Sequence, residues 1–147
     1  MTRVGESASG RIVGTLLLLA LASCGPPPEG GDGGTPDASV TIPEGPISGA
    51  DLQQRIEAGL APFILDVRTP SEYAGGHVPG ALNLPHDTLA SRLGEVPASP
   101  GEELVVYCHG GSRASAAETV LVDAGYLHVR LLEGHWSAWS QDGRPTE

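Results

Sequence analysis

A strand, a loop and a helix follow one another in the stretch Glu103-Leu104-Val105-Val106-Tyr107-Cys108-His109-Gly110-Gly111-Ser112-Arg113. The residues before Cys108 form a short apolar run of the kind that a buried strand shows. A helix is predicted from Ser112 to Ala124, because Gly125 supplies a typical C-terminal stop. Cys108 therefore closes a strand and begins a strand-to-helix loop. In open α/β sheets such loops lie beyond the carboxyl ends of the strands, where functional sites are found.

Short strands alternate with helices on both sides of this stretch. Further strands are predicted over residues 63–67, 81–84 and 128–132. A helix is predicted from Ser48 to Leu60, with Leu52, Ile56 and Leu60 on one face. A second helix is predicted to start at the capping box Thr69-Pro70-Ser71-Glu72. Two more are predicted over residues 87–93 and around Trp136 and Trp139. This alternation predicts an α/β fold in which a parallel β-sheet is flanked by α-helices on both faces.

The loop after Cys108 suits the binding of an anion. Gly110 and Gly111 carry no side chains, so successive backbone N–H groups can turn inward and form a cradle. The N-terminus of the next helix adds free N–H groups and a positive dipole end, which favours the thiolate form of Cys108. Arg113 adds a permanent charge and a planar fork that fits an oxyanion. The alternative is a structural role, because cysteine is often a small buried apolar residue.

Three segments together resemble one protein family. The segment from Cys108 to Arg113 resembles the active-site loop of the rhodanese sulfurtransferases. A second segment resembles another signature of the family: Leu65-Asp66-Val67-Arg68-Thr69-Pro70-Ser71-Glu72-Tyr73-Ala74-Gly75-Gly76-His77-Val78-Pro79-Gly80-Ala81. A third resembles the closing segment of the family: Leu132-Glu133-Gly134-His135-Trp136-Ser137-Ala138-Trp139. The segments occur in the family order and cover about residues 50–146. The resemblance implies the single-domain rhodanese fold, a cysteine persulfide intermediate and no organic cofactor.

The resemblance and the loop chemistry together give the predicted site. Cys108 is the predicted catalytic nucleophile. The predicted substrate-binding residues are His109, Gly110, Gly111, Ser112 and Arg113. In the predicted reaction, sulfane sulfur moves from a donor such as thiosulfate to Cys108 and then to a thiophilic acceptor.

Side chains outside the loop are given mainly structural roles. Asp66 ends a buried strand and is predicted, together with Arg68, to support the loop, with a role in orienting groups of the site as the alternative for Asp66. Arg68 and Glu72 stand four residues apart, so an ion pair between them is expected. His77 is predicted to make a structural hydrogen bond. The histidines lack the spacing of metal ligands, and no metal site is predicted.

Two alternatives to a sulfurtransferase stay open. A binding module that carries persulfide to a protein partner would keep this loop but would turn over slowly. Cell-cycle dual-specificity phosphatases share the fold, but five residues separate their cysteine from their arginine, whereas four separate Cys108 from Arg113. The smaller cradle favours a sulfur-sized group over phosphate. The sulfur donor stays open too, because His109 stands where many thiosulfate-using members carry arginine.

The N-terminus has the pattern of a secretory signal. Arg3 and Arg11 precede an apolar run over residues 12–22, which is shorter than the ~20 residues of a membrane-spanning helix. The run leads into Leu21-Ala22-Ser23-Cys24, which resembles the lipobox of bacterial lipoproteins. The resemblance implies lipidation of Cys24, with palmitate among the attached chains, and cleavage just before it. An ordinary secretory signal is the alternative.

A tether is predicted between Cys24 and the domain. Residues 25–46 include 12 Gly or Pro among 22 residues, a composition that resists regular structure. The predicted organisation is therefore a lipoprotein signal peptide over 1–23, the lipidated cysteine with a linker over 24–46, and a rhodanese domain over 47–147.

The acidic balance of the chain limits its partners. There are 8 basic and 18 acidic residues, which give a net charge of −10. This charge argues against nucleic acid and anionic lipid as electrostatic partners, so membrane attachment is expected to depend on the lipid anchor. The expected partners are a small sulfur donor and a thiol or cyanide acceptor, and a monomer is expected. The expected location is the bacterial cell envelope, on the periplasmic side of the outer membrane.

Overall fold

The computed structural model describes Ile42 and residues 44–147. The predicted signal peptide, Cys24 and most of the predicted tether lie outside the described residues. The elements in chain order are α1 (Gly49–Glu57), β1 (Phe63–Asp66), α2 (Pro70–Ala74), β2 (Leu82–Asn83), two 3-10 turns (Leu89–Ser91 and Leu93–Glu95), β3 (Glu103–Tyr107), α3 (Ser112–Asp123), β4 (His128–Leu131) and α4 (His135–Gln141). No helix within this part of the chain is long and apolar enough to cross a membrane.

The four strands form one parallel sheet in the order β2-β1-β3-β4. Leu65 on β1 pairs with Leu82 on one side and with Val106 on the other. Val106 pairs in turn with Leu131 on β4. The carboxyl ends of all four strands therefore lie at the same end of the sheet. Cys108, which follows β3 directly, lies at that end.

Apolar side chains cover both faces of the sheet because strand residues alternate between them. On one face Leu65 and Val106 pack with Ala117 and Leu121 of α3. On the other face Val105 packs with residues of α1 and α4, among them Leu52 and Trp139. The predicted α/β fold, a parallel sheet with helices on both faces, is confirmed.

Helix α1 is shorter than the sequence pattern suggests. It starts at the predicted cap, where the Ser48 side chain accepts a hydrogen bond from the N–H of Asp51. It ends at Glu57 because Gly59 takes a left-handed backbone with φ of 69°. The prediction that the helix extends to Leu60 is wrong, and the Leu60 side chain is 70% exposed instead of packed on the sheet.

The segment between β2 and β3 also differs from its prediction. In place of an α-helix over 87–93, it forms two 3-10 turns in which Arg92 N–H donates to Leu89 O and Glu95 N–H donates to Arg92 O. The physical reason is that Gly94 and the nearby Pro97 leave little room for a continuous α-helix. Strand β2 is likewise confined to Leu82–Asn83.

An ion cluster joins the amino ends of the central strands to the start of the domain. Glu103 accepts hydrogen bonds from the guanidinium groups of Arg55 and Arg130. Arg130 is buried and also donates to the backbone carbonyls of Gly45 and Pro46 at 2.6 and 2.9 Å. These contacts hold the first described residues against β4, at the end of the sheet opposite to Cys108.

Candidate active site

Cys108 lies where β3 ends and is 1% exposed. The backbone N–H of Gly111 donates to its Sγ, with 3.0 Å between nitrogen and sulfur. The loop therefore turns back on the sulfur within three residues and directs a donor at it. Such a donor stabilises negative charge on sulfur, as the anion-cradle prediction requires.

The conformation of the loop places different requirements on Gly110 and Gly111. Gly111, which caps the N-terminus of α3, has φ of 116°, a backbone that residues with a side chain rarely adopt. A Cβ at this position would also lie 3.0 Å from Nε2 of His135. A Cβ on Gly110 would meet no atom within 4 Å. Of the pair predicted to form the cradle, only Gly111 needs to be glycine for the observed loop.

The first turn of α4 forms hydrogen bonds to two carbonyl groups of the loop. The N–H of Trp136 donates to the carbonyl of Cys108 at 2.9 Å. The carbonyl of His109 accepts from both the N–H and the Oγ of Ser137, at 3.1 and 2.8 Å. With these carbonyls bound to α4, the N–H groups of residues 109, 110 and 112 donate to no other described residue and are available to an anion. The side chains of His109 and Ser112 are exposed beside them.

Arg113 is fixed by an ion pair that the sequence pattern does not reveal. Its two terminal nitrogens donate to the two carboxylate oxygens of Glu72, at 2.7 and 2.8 Å. Glu72 also accepts from the N–H and Oγ1 of Thr69, so the predicted capping box of α2 is present. Arg113, with a smaller share from Thr69, holds the pKa of Glu72 far below its usual range although burial opposes the shift. The hydrogen bonds to Glu72 and the charge of its carboxylate in turn raise the pKa of Arg113, although burial opposes the shift.

Asp66 and Arg68 form a second, buried pair. Asp66 Oδ2 lies 2.6 Å from the nearest terminal nitrogen of Arg68, and Asp66 Oδ1 accepts from the Arg68 N–H. Arg68 also donates to the carbonyl of Gly76, and its guanidinium carbon lies 4.3 Å from the ring centre of Trp136. The expected ion pair between Arg68 and Glu72 is therefore wrong. The closer carboxylate of Asp66 takes Arg68, and Glu72 turns toward α3.

Tyr107 joins this buried pair to the loop, a role that the sequence analysis missed. Its hydroxyl donates to Asp66 Oδ2 at 2.7 Å and accepts from the N–H of Val78 at 3.1 Å. Burial, reinforced by the charge of Asp66, raises the pKa of Tyr107, so the phenol stays protonated. Because Tyr107 directly precedes Cys108, the network fixes the backbone from which the reactive thiol projects. A polar aromatic residue at the end of an otherwise aliphatic strand is the one sequence signal for this role.

Other singled-out residues lie outside the immediate surroundings of the sulfur. His77 stacks on Tyr73 with 3.7 Å between ring centres, and its Nδ1 lies 3.1 Å from the Tyr73 carbonyl. This is the kind of structural hydrogen bond expected of His77. Trp139 is buried and donates from Nε1 to the carbonyl of Pro145. Within residues 44–147, no group of three or more His, Cys, Asp or Glu side chains is placed to hold a metal ion.

Comparisons with known proteins agree with this geometry. A family model described as the rhodanese-like domain matches residues 48–142. A sulfurtransferase from Allochromatium vinosum is 35% identical over 99 residues, which are 67% of this chain and 91% of that protein. The chloroplastic thiosulfate sulfurtransferase 16 of Arabidopsis thaliana is 36% identical over 93 residues, 56% of this chain and 78% of that protein.

A solved structure gives the same result at the level of the fold. The solution NMR structure of the rhodanese-like domain from the Alr3790 protein of Anabaena sp. superposes with a TM-score of 0.64 at 36% identity. The superposition covers 71% of this chain and 80% of that one. The predicted resemblance is thereby confirmed: the chain belongs to the family of rhodanese-like domains, whose members include sulfurtransferases.

Proposed function

We propose that this protein is a sulfurtransferase that carries sulfane sulfur as a persulfide on Cys108. The observation that carries the proposal is the placement of the Cys108 Sγ at the end of β3, under the N–H of Gly111 at 3.0 Å. The sulfurtransferases among the relatives support the same class of reaction. No step in this chemistry requires an organic cofactor or a metal.

Thiosulfate is the sulfur donor we propose. The Cys108 thiolate attacks the outer sulfur of thiosulfate, and a new S–S bond forms to Sγ. The S–S bond within thiosulfate breaks, and its electron pair leaves with sulfite. The loop N–H groups and the positive end of the α3 dipole stabilise the anionic persulfide that remains.

A thiophilic sulfur acceptor completes the proposed reaction. A thiol or cyanide attacks the outer sulfur of the persulfide, and the electron pair of the S–S bond returns to Cys108 as thiolate. The two half-reactions form a covalent two-step mechanism. The substrate-binding groups in both are the backbone of residues 109–112 and the charge of Arg113, while Asp66 and Arg68 act by supporting the loop.

Intact mass measurement tests the proposal directly. A preparation of residues 24–147 treated with thiosulfate is expected to gain the mass of one sulfur atom, and cyanide is expected to remove it and yield thiocyanate. Steady-state turnover with thiosulfate and cyanide separates an enzyme from a slow persulfide carrier. A protein that gains no sulfur but hydrolyses an aryl phosphate would instead be a phosphatase.

Arg113 provides a test of how the thiosulfate oxyanion is bound. Arg113→Ala is expected to lower kcat/KM for thiosulfate by more than ~10-fold, or ~1.4 kcal/mol, because both the charge and the Glu72 clamp are lost. Arg113→Lys keeps the charge without the planar fork and should recover only part of the loss. Steady-state kinetics with thiosulfate measure both effects.

Two controls accompany the Arg113 variants. Arg92→Ala removes a similar two-hydrogen-bond pair, with Glu95, from a 3-10 turn outside the loop and should not change turnover. Small neutral alkylating agents should react with Cys108 at near-normal rates in the Arg113 variants, since the N–H cradle remains. Unchanged thiosulfate kinetics in Arg113→Ala would show that the loop amides bind the anion alone.

We place the protein in the bacterial cell envelope, attached through lipid on Cys24 to the periplasmic side of the outer membrane, and acting as a monomer. The lipobox-like residues before Cys24 and the Gly- and Pro-rich stretch after it support this location. Two or more acyl chains hold a protein on a membrane durably. A protein with a net negative charge is not attracted to an anionic membrane surface, so the lipid has to supply the attachment.

Cys24→Ala is expected to release the protein from membranes or to block its processing. Fractionation followed by high-salt and carbonate washes measures the attachment. If the variant stays in the membrane fraction through both washes, Cys24 is not the anchor. The same variant should keep its sulfur-transfer activity, because Cys108 is untouched.

A further inference from the structure

His135 combines two unfavourable features beside the active-site loop. It is the first residue of α4 and has φ of 53°, the only positive φ at a residue other than glycine in the described part of the chain. A side chain in this backbone region is strained and persists only where the surrounding structure holds it there, as happens at many functional sites. A glycine would adopt the same turn without strain.

The ring of His135 is the second unfavourable feature. Its Nδ1 is buried without a hydrogen-bond partner, and no other side-chain nitrogen or oxygen among the described residues shares that condition. Within the described residues, Nε2 makes no hydrogen bond either, and it does not share the buried, unpartnered condition of Nδ1. The two nitrogens of the imidazole therefore differ in their surroundings.

The Nε2 edge of the ring faces the loop that holds the reactive sulfur. Nε2 lies 3.0 Å from the point that a Cβ on Gly111 would occupy, and Gly111 N–H donates to the Cys108 Sγ. The imidazole is thus packed against Gly111, the residue whose N–H donates to the sulfur. Burial lowers the pKa of His135, which favours the neutral imidazole, the form that can accept a proton.

We propose that Nε2 of His135 is the proton acceptor for the incoming thiol in the second half-reaction. The inference rests on the proposed persulfide chemistry and adds the group that activates the sulfur acceptor. Ordinary thiols, with a pKa of about 8.5, are mostly protonated at neutral pH, yet only the thiolate is nucleophilic. A base beside the loop takes the proton of the thiol and so generates the nucleophilic thiolate.

The proposed step moves one proton to His135 and one sulfur atom to the thiol. Nε2 takes the proton of the thiol while its sulfur bonds to the outer sulfur of the persulfide. The S–S bond to Cys108 breaks, and its electron pair stays on Sγ as thiolate. The products are an acceptor persulfide, the Cys108 thiolate and an imidazolium that passes its proton to water. The first half-reaction has no proton to remove, so His135 is not needed there.

Two variants separate this role from a structural one. His135→Gly relieves the positive φ and opens space for added imidazole, and His135→Asn keeps a polar side chain that tolerates this backbone but lacks a base. In each, the Cys108 persulfide is first formed with thiosulfate and checked by intact mass. Single-turnover discharge is then followed with 2-mercaptoethanol and with a nitro-substituted aromatic thiol that is already ionised.

Discharge to 2-mercaptoethanol is expected to slow by roughly 100-fold in both variants, the lower end of what a general base contributes. Discharge to the ionised aromatic thiol should stay within about twofold of the wild type, since that thiol has no proton to lose. Free imidazole should restore the His135→Gly rate with 2-mercaptoethanol. His128→Asn, at the opposite end of the sheet, serves as the control.

Equal slowing with both thiols would overturn the proposal, since it would mean that His135 only shapes the loop. Unchanged discharge with 2-mercaptoethanol would overturn it as well. If the wild-type protein forms no persulfide with thiosulfate, the proposed function itself fails, and that result is separate because it precedes any sulfur acceptor.

Discussion

Cys108→Ser is expected to abolish persulfide formation and to lower turnover with thiosulfate and cyanide by at least ~1000-fold. Serine is nearly isosteric with cysteine and can still accept the Gly111 N–H, so the loop should keep its shape. Its hydroxyl is not ionised near pH 7, however, and an oxygen cannot form a disulfide-like bond to the sulfur of the donor. Intact mass after thiosulfate treatment and steady-state kinetics measure the two effects.

The cysteine variant also tests the structural alternative. Thermal unfolding of Cys108→Ser should stay close to that of the wild type, because the side chain changes little in volume. If turnover persisted near the wild-type level, the sulfur would be only a buried core atom and the mechanism would have to lie elsewhere.

Gly111→Ala is expected to produce the second largest loss, about 100-fold or more in kcat/KM for thiosulfate. An alanine Cβ would lie 3.0 Å from Nε2 of His135 in a backbone that alanine avoids, so residue 111 must move. Its N–H then leaves the Cys108 Sγ, and removal of one preorganised donor to a developing anion typically costs ~10²–10³ in rate. Steady-state kinetics with thiosulfate provide the measurement.

The neighbouring glycine offers a matched control. Gly110→Ala adds the same methyl group to the same loop, but into open space and without loss of an N–H. Its loss of activity should be at least tenfold smaller than that of Gly111→Ala. Similar losses in the two variants would show that the loop needs flexibility at both positions, and that the Gly111 N–H has no special role.

The local chemistry of the site was predictable, because it depends on residues close together in the chain. A thiol at a strand end, glycines after it and a helix start after those predict the anion cradle, and the structure has the Gly111 N–H at the sulfur. The capping box from Thr69 to Glu72 is equally local and is present. The strand-helix alternation was enough to predict a parallel sheet with helices on both faces.

Contacts between distant segments were not predictable in the same way. Glu72 has a local partner in Thr69, and nothing in the sequence shows that its carboxylate also binds Arg113, 41 residues away. The different requirements at Gly110 and Gly111 depend on the positive φ of Gly111 and on the position of the His135 ring, which is set by the start of α4. The hydroxyl of Tyr107 reaches Asp66 only because β1 and β3 are neighbours in register.

Ile47 forms a single parallel bridge with Leu132 at the carboxyl end of β4, the outer strand of the sheet, and this bridge affects how the sheet can pair with other molecules. Ile47 N–H donates to Leu131 O, and Ile47 O accepts from the N–H of Glu133. Strand β4 would otherwise offer its free backbone groups to a second molecule, which is how sheets join edge to edge and aggregate. Pro46, which precedes it, has no N–H to offer on the outward side of this segment. The short lead-in to the domain thus occupies the carboxyl end of this edge and hinders the pairing of a second strand there.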